Sequence, residues 1–165
     1  MKPDAPGRTP ARSLAFFGRK QGRLLSDFVR LARLHLGMGR LLLVAPLAEG
    51  KPTRTRLMPG GTMEAMSTET LGFERVPISL RRVGQELAAR LANSPENTVL
   101  AVDMGWGLKT ASATANFEGW MGVAHDLAAT TGRTVVSLYN RSLLIDEHLI
   151  AALRGHPAVL AGEGV

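Results

Sequence analysis

Apolar runs alternate with amphipathic segments along this chain, and the alternation predicts strands separated by helices. The apolar runs of strand length are residues 40–45, 98–103, 134–139 and 158–160. The segments with helical spacing of apolar residues are 23–36, 79–93, 112–130 and 146–155. Strands joined through helices pair in parallel by right-handed crossovers. The predicted fold class is α/β, with a mostly parallel central sheet and flanking helices.

The middle of the chain, before the second predicted helix, has the weakest pattern. Residues 53–58 alternate enough to predict a short strand, and Pro59, Gly60 and Gly61 predict a turn after it. A short helix is expected to begin at Met63.

The composition is that of one globular domain with unevenly placed charge. The chain has 165 residues, 45% of them hydrophobic, and no apolar run approaches the length needed to span a bilayer. Its net charge of +6 is concentrated in residues 1–40, where Lys and Arg greatly outnumber Asp4 and Asp27. The absence of cysteine excludes disulfides and cysteine-based catalytic or metal sites. With no visible secretory signal, a cytoplasmic protein is expected.

Residues 1–22 are rich in Pro, Gly and Arg, which is typical of a flexible basic arm. Residues 23–165 are then a single α/β domain. A basic segment suits an anionic partner, so we expect the arm and the first helix to bind another protein or a larger complex. An anionic surface at the inner membrane is the alternative, and nucleic acid is less favoured because one helix does not make a helix-turn-helix. The candidate partner-binding residues are Arg8, Arg12, Arg19, Lys20, Arg23, Arg30 and Arg33.

Polar and aromatic residues follow the ends of two predicted strands. Asp103 and Trp106 follow one strand, and Tyr139, Asn140 and Arg141 follow the next. Open parallel sheets bind ligands beyond the carboxyl ends of their strands, so neighbouring strands would bring these residues to one rim. We take all five as candidate ligand-binding residues. The alternative is that Asp103 only caps a turn and Tyr139 only packs.

No catalytic, metal-binding or nucleotide-hydrolysing pattern is visible. An apolar strand ending in Asp103 resembles a Walker B strand, but the GxxxxGK[ST] pattern of a P-loop is missing. The histidines lack ligand spacing. His156 precedes the last strand, so it should lie at the opposite, amino-terminal rim and bond to backbone there. We therefore expect a non-enzymatic protein with no metal and no cofactor, the alternative being an enzyme of unfamiliar type.

Four segments in the second half of the chain resemble the MEDS family, the methanogen and methylotroph sensory domain. They are the strand end at 103–106, the helical Asn116-Phe-Glu118, the strand end at 136–141, and the closing helix, His-Pro pair and strand at 149–160. Asn140 stands where that family usually has Asp. The resemblance implies a degenerate RecA/KaiC-like fold without a working P-loop, and a role in sensing or signalling.

Two functions follow from these observations. One is a stand-alone sensory or ligand-binding domain that acts in regulation through protein contacts. The other is a structural accessory subunit of a larger assembly, with or without a membrane surface, attached through the basic arm and the first helix.

Overall fold

The computed structural model describes residues 12–19, 21–47, 53–58, 60–109 and 112–161, which form a seven-stranded sheet with helices on both faces. The strands are β1 (Ser13–Gly18), β2 (Arg40–Ala45), β3 (Thr53–Met58), β4 (Gly61–Ser67), β5 (Thr98–Asp103), β6 (Thr134–Asn140) and β7 (Ala158–Ala161). The α-helices are α1 (Gln21–Leu36), α2 (Thr68–Leu71), α3 (Leu80–Ala92), α4 (Ala113–Thr131) and α5 (Asp146–Gly155). The 3₁₀ helices after β5 and β6 are Met104–Lys109 and Arg141–Leu143.

The sheet is parallel except at one edge. Its order is β3-β4-β2-β5-β6-β1-β7. Each neighbouring pair runs parallel apart from β3 and β4, which form an antiparallel hairpin. The predicted α/β class with a mostly parallel sheet is confirmed.

Both faces of the sheet are covered because successive side chains of a strand point to opposite sides. On one face, α1 packs through Leu24, Phe28 and Ala32. On the other face lie α3, α4 and α5, with Leu87 and Trp120 fully buried. Within the described residues, no helix is both long enough and apolar enough to cross a bilayer.

The ends of two helices show how the local sequence sets their limits. The Ser79 hydroxyl accepts a hydrogen bond from the Arg82 amide at the start of α3. Gly132 ends α4 with a φ of 64°, a left-handed conformation that favours glycine. In α5, Ile145 occupies the capping position without a side-chain hydrogen bond. Asp146 therefore supplies negative charge to the first turn of that helix.

The segment that begins near Met63 is a strand, so the short helix expected there is wrong. It forms β4, which hydrogen-bonds to β2 on one side and to β3 on the other. Ladder hydrogen bonds to two neighbours outweigh the local helix preference of its Met, Glu and Ala residues. A single helical turn, α2, follows only from Thr68.

The flexible arm predicted over residues 1–22 is wrong for residues 13–18, which form β1. All six residues of this strand are buried, and the strand lies between β6 and β7 and parallel to both. Both of its faces are covered by helices, so no polar alternation marks it in the sequence. The folded domain therefore starts no later than residue 13.

Truncation of Phe16 tests whether β1 is part of the core. Phe16 is fully buried, and its ring centroid lies 5.6 Å from that of Phe28. We expect Phe16→Ala to lower the free energy of unfolding by about 3–5 kcal/mol, because the lost ring leaves a cavity. Leu57, which is 89% exposed on β3, provides the matched control. Leu57→Ala should change the value by less than about 0.5 kcal/mol.

Urea denaturation of both variants measures these differences. A loss below about 1 kcal/mol for Phe16→Ala would contradict the placement of β1 in the core.

Candidate functional site

In open parallel sheets, a crevice forms where the connections of neighbouring strands leave in opposite directions. From β2 the chain turns toward β3 and β4 at one edge, whereas from its neighbour β5 the chain crosses through α4 to β6 on the other side. The carboxyl ends of β2, β5 and β6 border a pocket at this place.

This carboxyl-end pocket has a volume of about 150 Å³ and a mostly apolar wall. Pro46 contributes to it just after β2, Asp103 at the end of β5, and Tyr139 and Asn140 at the end of β6. The two 3₁₀ helices, the residue that follows the second, and the first turns of α4 provide most of the remaining wall. The side chains from these segments are Met104, Leu108, Lys109, Phe117, Leu143 and Leu144.

Asp103 is held at the pocket wall by a turn of its own making. Its Oδ1 accepts a hydrogen bond of 2.8 Å from the Gly105 amide, which closes an Asx turn. A Cβ atom on Gly105 would lie only 3.0 Å from the same oxygen. Glycine at this position therefore lets the backbone approach the carboxylate.

Lys109 places a positive charge at the edge of the pocket. Its Nζ donates to Glu74 Oε1 at 2.8 Å, and the Thr68 hydroxyl donates to the same oxygen at 3.0 Å. The hydrogen bond from Lys109 lowers the pKa of Glu74 below its usual value; burial opposes this effect, and the Thr68 hydroxyl supports it. Because the Lys109 side chain is 54% exposed, the ion pair orients it and adds little to stability.

Aromatic rings pack together on the α4 side of the pocket. The Tyr139 ring stacks on Phe17 with centroids 5.0 Å apart and meets Phe117 edge-on at 5.4 Å. Both arrangements are favourable for ring quadrupoles. Burial raises the pKa of Tyr139 well above its ordinary value, with a hydrogen bond from Ser137 opposing it, so the phenol stays neutral.

His156 joins Tyr139 to the first strand through buried side chains. Its Nε2 lies 3.2 Å from Tyr139 Oη, and its Nδ1 lies 3.2 Å from Ser13 Oγ. Burial, with a smaller repulsion from His125, lowers the pKa of His156 to about 4, so the ring is neutral at pH 7. The register of β7 on β1 confirms the predicted amino-side position. The predicted bonding to backbone is wrong, because both ring nitrogens meet side chains.

The structure brings Asp103, Tyr139 and Asn140 to the same pocket, as predicted from the ends of their strands. Asn140 Oδ1 accepts hydrogen bonds from the amide and the hydroxyl of Ser142. β5 and β6 are direct neighbours, which is the condition that the prediction required.

Trp106 and Arg141 do not join them at the pocket wall. Trp106 is only 2% exposed, and its ring centroid lies 4.8 Å from that of Phe73 in the core. Arg141 turns back on its own loop, where its Nη1 donates to the Leu144 carbonyl at 3.1 Å. The expectation that both residues face a ligand at the rim is therefore corrected.

The candidate partner-binding residues are spread over several parts of the chain. Arg8 and Lys20 lie outside the described residues. Arg12 adjoins β1 and is not part of a free arm, since its carbonyl accepts a hydrogen bond of 3.0 Å from the Val135 amide. Arg19 is exposed between β1 and α1. Arg23, Arg30 and Arg33 are exposed on the outer side of α1.

The apolar wall of the pocket was missed by the sequence analysis. Phe117 lies near the start of the helix after β5. That end of a crossover helix adjoins the carboxyl ends of the strands, so the position of Phe117 in the sequence could have predicted its place in the wall. Leu143 and Leu144 carry no comparable signal. They reach the pocket because the chain forms a 3₁₀ turn after β6, and the polar residues there do not predict such a turn.

Comparisons with protein-family models, with curated proteins and with solved structures found no match to this chain. The functional interpretation therefore depends on the pocket and on the surfaces around it.

The buried neutral ring of His156 should make the fold sensitive to acid. Its pKa is about 4 in the folded chain, against an ordinary histidine pKa of 6.5. Between these values the unfolded chain binds more protons, so stability is complete above the higher value and falls as the pH drops through this window. The full effect is on the order of 3 kcal/mol.

Urea unfolding at a series of pH values measures this slope, with His156→Gln as the comparison. The variant should be less stable near neutral pH and should lose less stability on acidification. Equal slopes for the two proteins would contradict the role of His156.

Proposed function

We propose that this chain is a non-catalytic sensory domain that binds a small ligand in the carboxyl-end pocket and acts in regulation through protein contacts. The single observation that carries the proposal is the pocket itself, at the crevice where the connections from β2 and β5 leave in opposite directions. The resemblance to the MEDS family, with its degenerate RecA/KaiC-like fold, agrees with a sensory role.

The pocket fits a small and mainly apolar molecule. Its volume of about 150 Å³ is close to that of apolar protein cavities that bind benzene. Asp103, Lys109 and Asn140 offer polar contacts to a substituent of such a molecule. A nucleotide with its phosphates is far too large for this space.

The chemistry of the wall favours binding over catalysis. Its described residues include no Ser, Thr, Cys or His, and its carboxylate, Asp103, accepts a hydrogen bond from the Gly105 amide. The Tyr139 hydroxyl lies within hydrogen-bond distance of His156, and the Lys109 ammonium pairs with Glu74 while it keeps further donors for a ligand. The mostly apolar wall suits recognition of a small molecule.

A hydrogen bond offers a route from the pocket to the protein surface. Ser142 Oγ lies 2.6 Å from Asn140 Oδ1 and 3.1 Å from the Arg19 carbonyl. A hydroxyl has one proton, so it donates to only one of these acceptors at a time. A ligand that engages Asn140 would turn Ser142 toward Arg19, directly before α1. Ligand binding would thereby change the start of a helix with an exposed basic side.

Filling the pocket tests the proposal. Leu143 lines the pocket and is 57% exposed, so a larger side chain there can enter the pocket without disturbing the core. We expect benzene or phenol to give saturation-transfer NMR signals with the wild-type chain and weak or no signals with Leu143→Trp. Leu34→Trp is the control, because Leu34 is 73% exposed on α1. Absent signals with the wild type, or equal signals with both variants, would contradict the proposal.

A basic docking subunit is the second candidate, and the outer side of α1 favours it. Arg23, Arg30 and Arg33 are exposed on this side, and among the described residues none of the three forms an ion pair. The apolar side of α1 is buried on the sheet, so it is not available for insertion into lipid. Attachment through this helix would therefore be electrostatic.

Charge reversal distinguishes this candidate from the first. The triple change of Arg23, Arg30 and Arg33 to Glu should abolish retention of a co-purifying partner or of vesicles containing phosphatidylserine. Retention by the wild type should weaken as salt rises. The matched control reverses three exposed arginines elsewhere, namely Arg75, Arg81 and Arg82. Equal retention by both triple variants would contradict attachment through α1.

A further inference from the structure

The outer side of α5 is an exposed apolar surface with charges at its two ends. Ile150 and Leu153 are 48% and 45% exposed, whereas the Ala151 and Ala152 side chains are buried against the rest of the fold. Glu147 lies in the first turn of the helix and Arg154 in its last turn. The order along the helix is therefore acidic, apolar, basic.

Exposed apolar residues are concentrated in the part of the sequence that contains this helix. Of the eight large apolar side chains that are exposed among the described residues, five lie between residues 143 and 159. They include Val159 of β7, which is an edge strand paired only with β1. Concentration of this kind is typical of an interaction surface, whereas isolated exposed apolar residues need no explanation.

A groove between α4 and α5 runs along the same surface. It has a volume of about 680 Å³ and includes Ile150 in its wall. Glu118 of α4 and Glu147 of α5 border it, and both lie near the starts of their helices, at the carboxyl side of the sheet. Arg154 borders the opposite end. The groove thus has an acidic end and a basic end.

We propose that a second copy of this chain packs on this groove, with the two α5 helices antiparallel about a two-fold axis near Ile150. In a two-fold interface, a contact from residue i to residue j is repeated from j to i. Glu147 precedes Ile150 by three positions and Arg154 follows it by four. An antiparallel copy therefore brings Arg154 of each protomer to the acidic end of the other groove.

The charge order is the reason to assign this surface to a second copy. An antiparallel α5 places opposite charges against each other at both ends and apolar side chains against each other in the middle. The surface is therefore complementary to a second copy of itself. A parallel copy would set like charges against each other at each end. An unrelated partner would need the same order of charges by coincidence.

Sedimentation velocity of the full chain over a range of concentrations tests the proposal. We expect a reversible dimer for the wild type and a dissociation constant raised by about tenfold or more for Ile150→Glu. Leu57→Glu is the matched control, because it makes the same substitution at an exposed position on the opposite edge strand, β3. It should leave the dimer unchanged. Thermal melting of each variant verifies that it is folded.

A charge-reversal cycle tests the antiparallel arrangement separately from apolar burial. Arg154→Glu and Glu147→Lys should each weaken the dimer, and the double variant should recover most of the loss. Recovery supports the antiparallel pairing. A wild-type chain that stays monomeric at all concentrations would overturn the proposal and leave the surface to a different partner. A dimer that ignores Ile150→Glu, or a double variant without recovery, would overturn it too.

Discussion

The whole sheet depends on the pairing of β1 with strands from the other end of the chain. β1 lies between β6 and β7 and hydrogen-bonds to both, so without it the last strand has no neighbour in the sheet. The side chains of β1 also complete both cores, since Phe16 packs near α1 and Phe17 stacks on Tyr139. The contacts of β1 with β6 and β7 join residues that are far apart in the sequence, and the entropy of closing such a loop must be recovered by burial on both faces.

The candidate site is built partly from residues that also hold β1 in the sheet. Tyr139 reaches the pocket with one side of its ring while its hydroxyl belongs to a buried path through His156 to Ser13. The path fixes the ring and satisfies polar groups that would otherwise be costly to bury. Tyr139 therefore belongs to both the pocket and the core. A ligand that shifted its ring would also disturb its contacts with His156 and Phe17, which connect it to β1.

Sequence patterns predicted the strands that are continuous apolar runs bounded by polar segments. β2 and β5 are continuous apolar runs between polar segments, so their limits were visible, and Asp103 and Asn140 followed from the rule about strand ends. β1 was hidden because its six apolar or small residues lie among Pro, Gly and Arg, and only pairing with distant strands makes them ordered. Trp106 was misplaced for a similar reason. Residue type indicates that an aromatic ring will be buried somewhere, but the 3₁₀ helix and Phe73 decide on which side.

The insertion of β1 between late strands has a consequence during synthesis on the ribosome. The chain emerges from its amino-terminal end, yet the two neighbours of β1 are translated after all the other strands of the sheet. β1 has both of its neighbours only when residue 161 has left the exit tunnel, whereas β2 can pair with β4 and β5 earlier. A nascent chain in this state presents an apolar segment next to an unfilled gap in a sheet. The apolar first strand is therefore buried on both edges only after β6 and β7 have been synthesised.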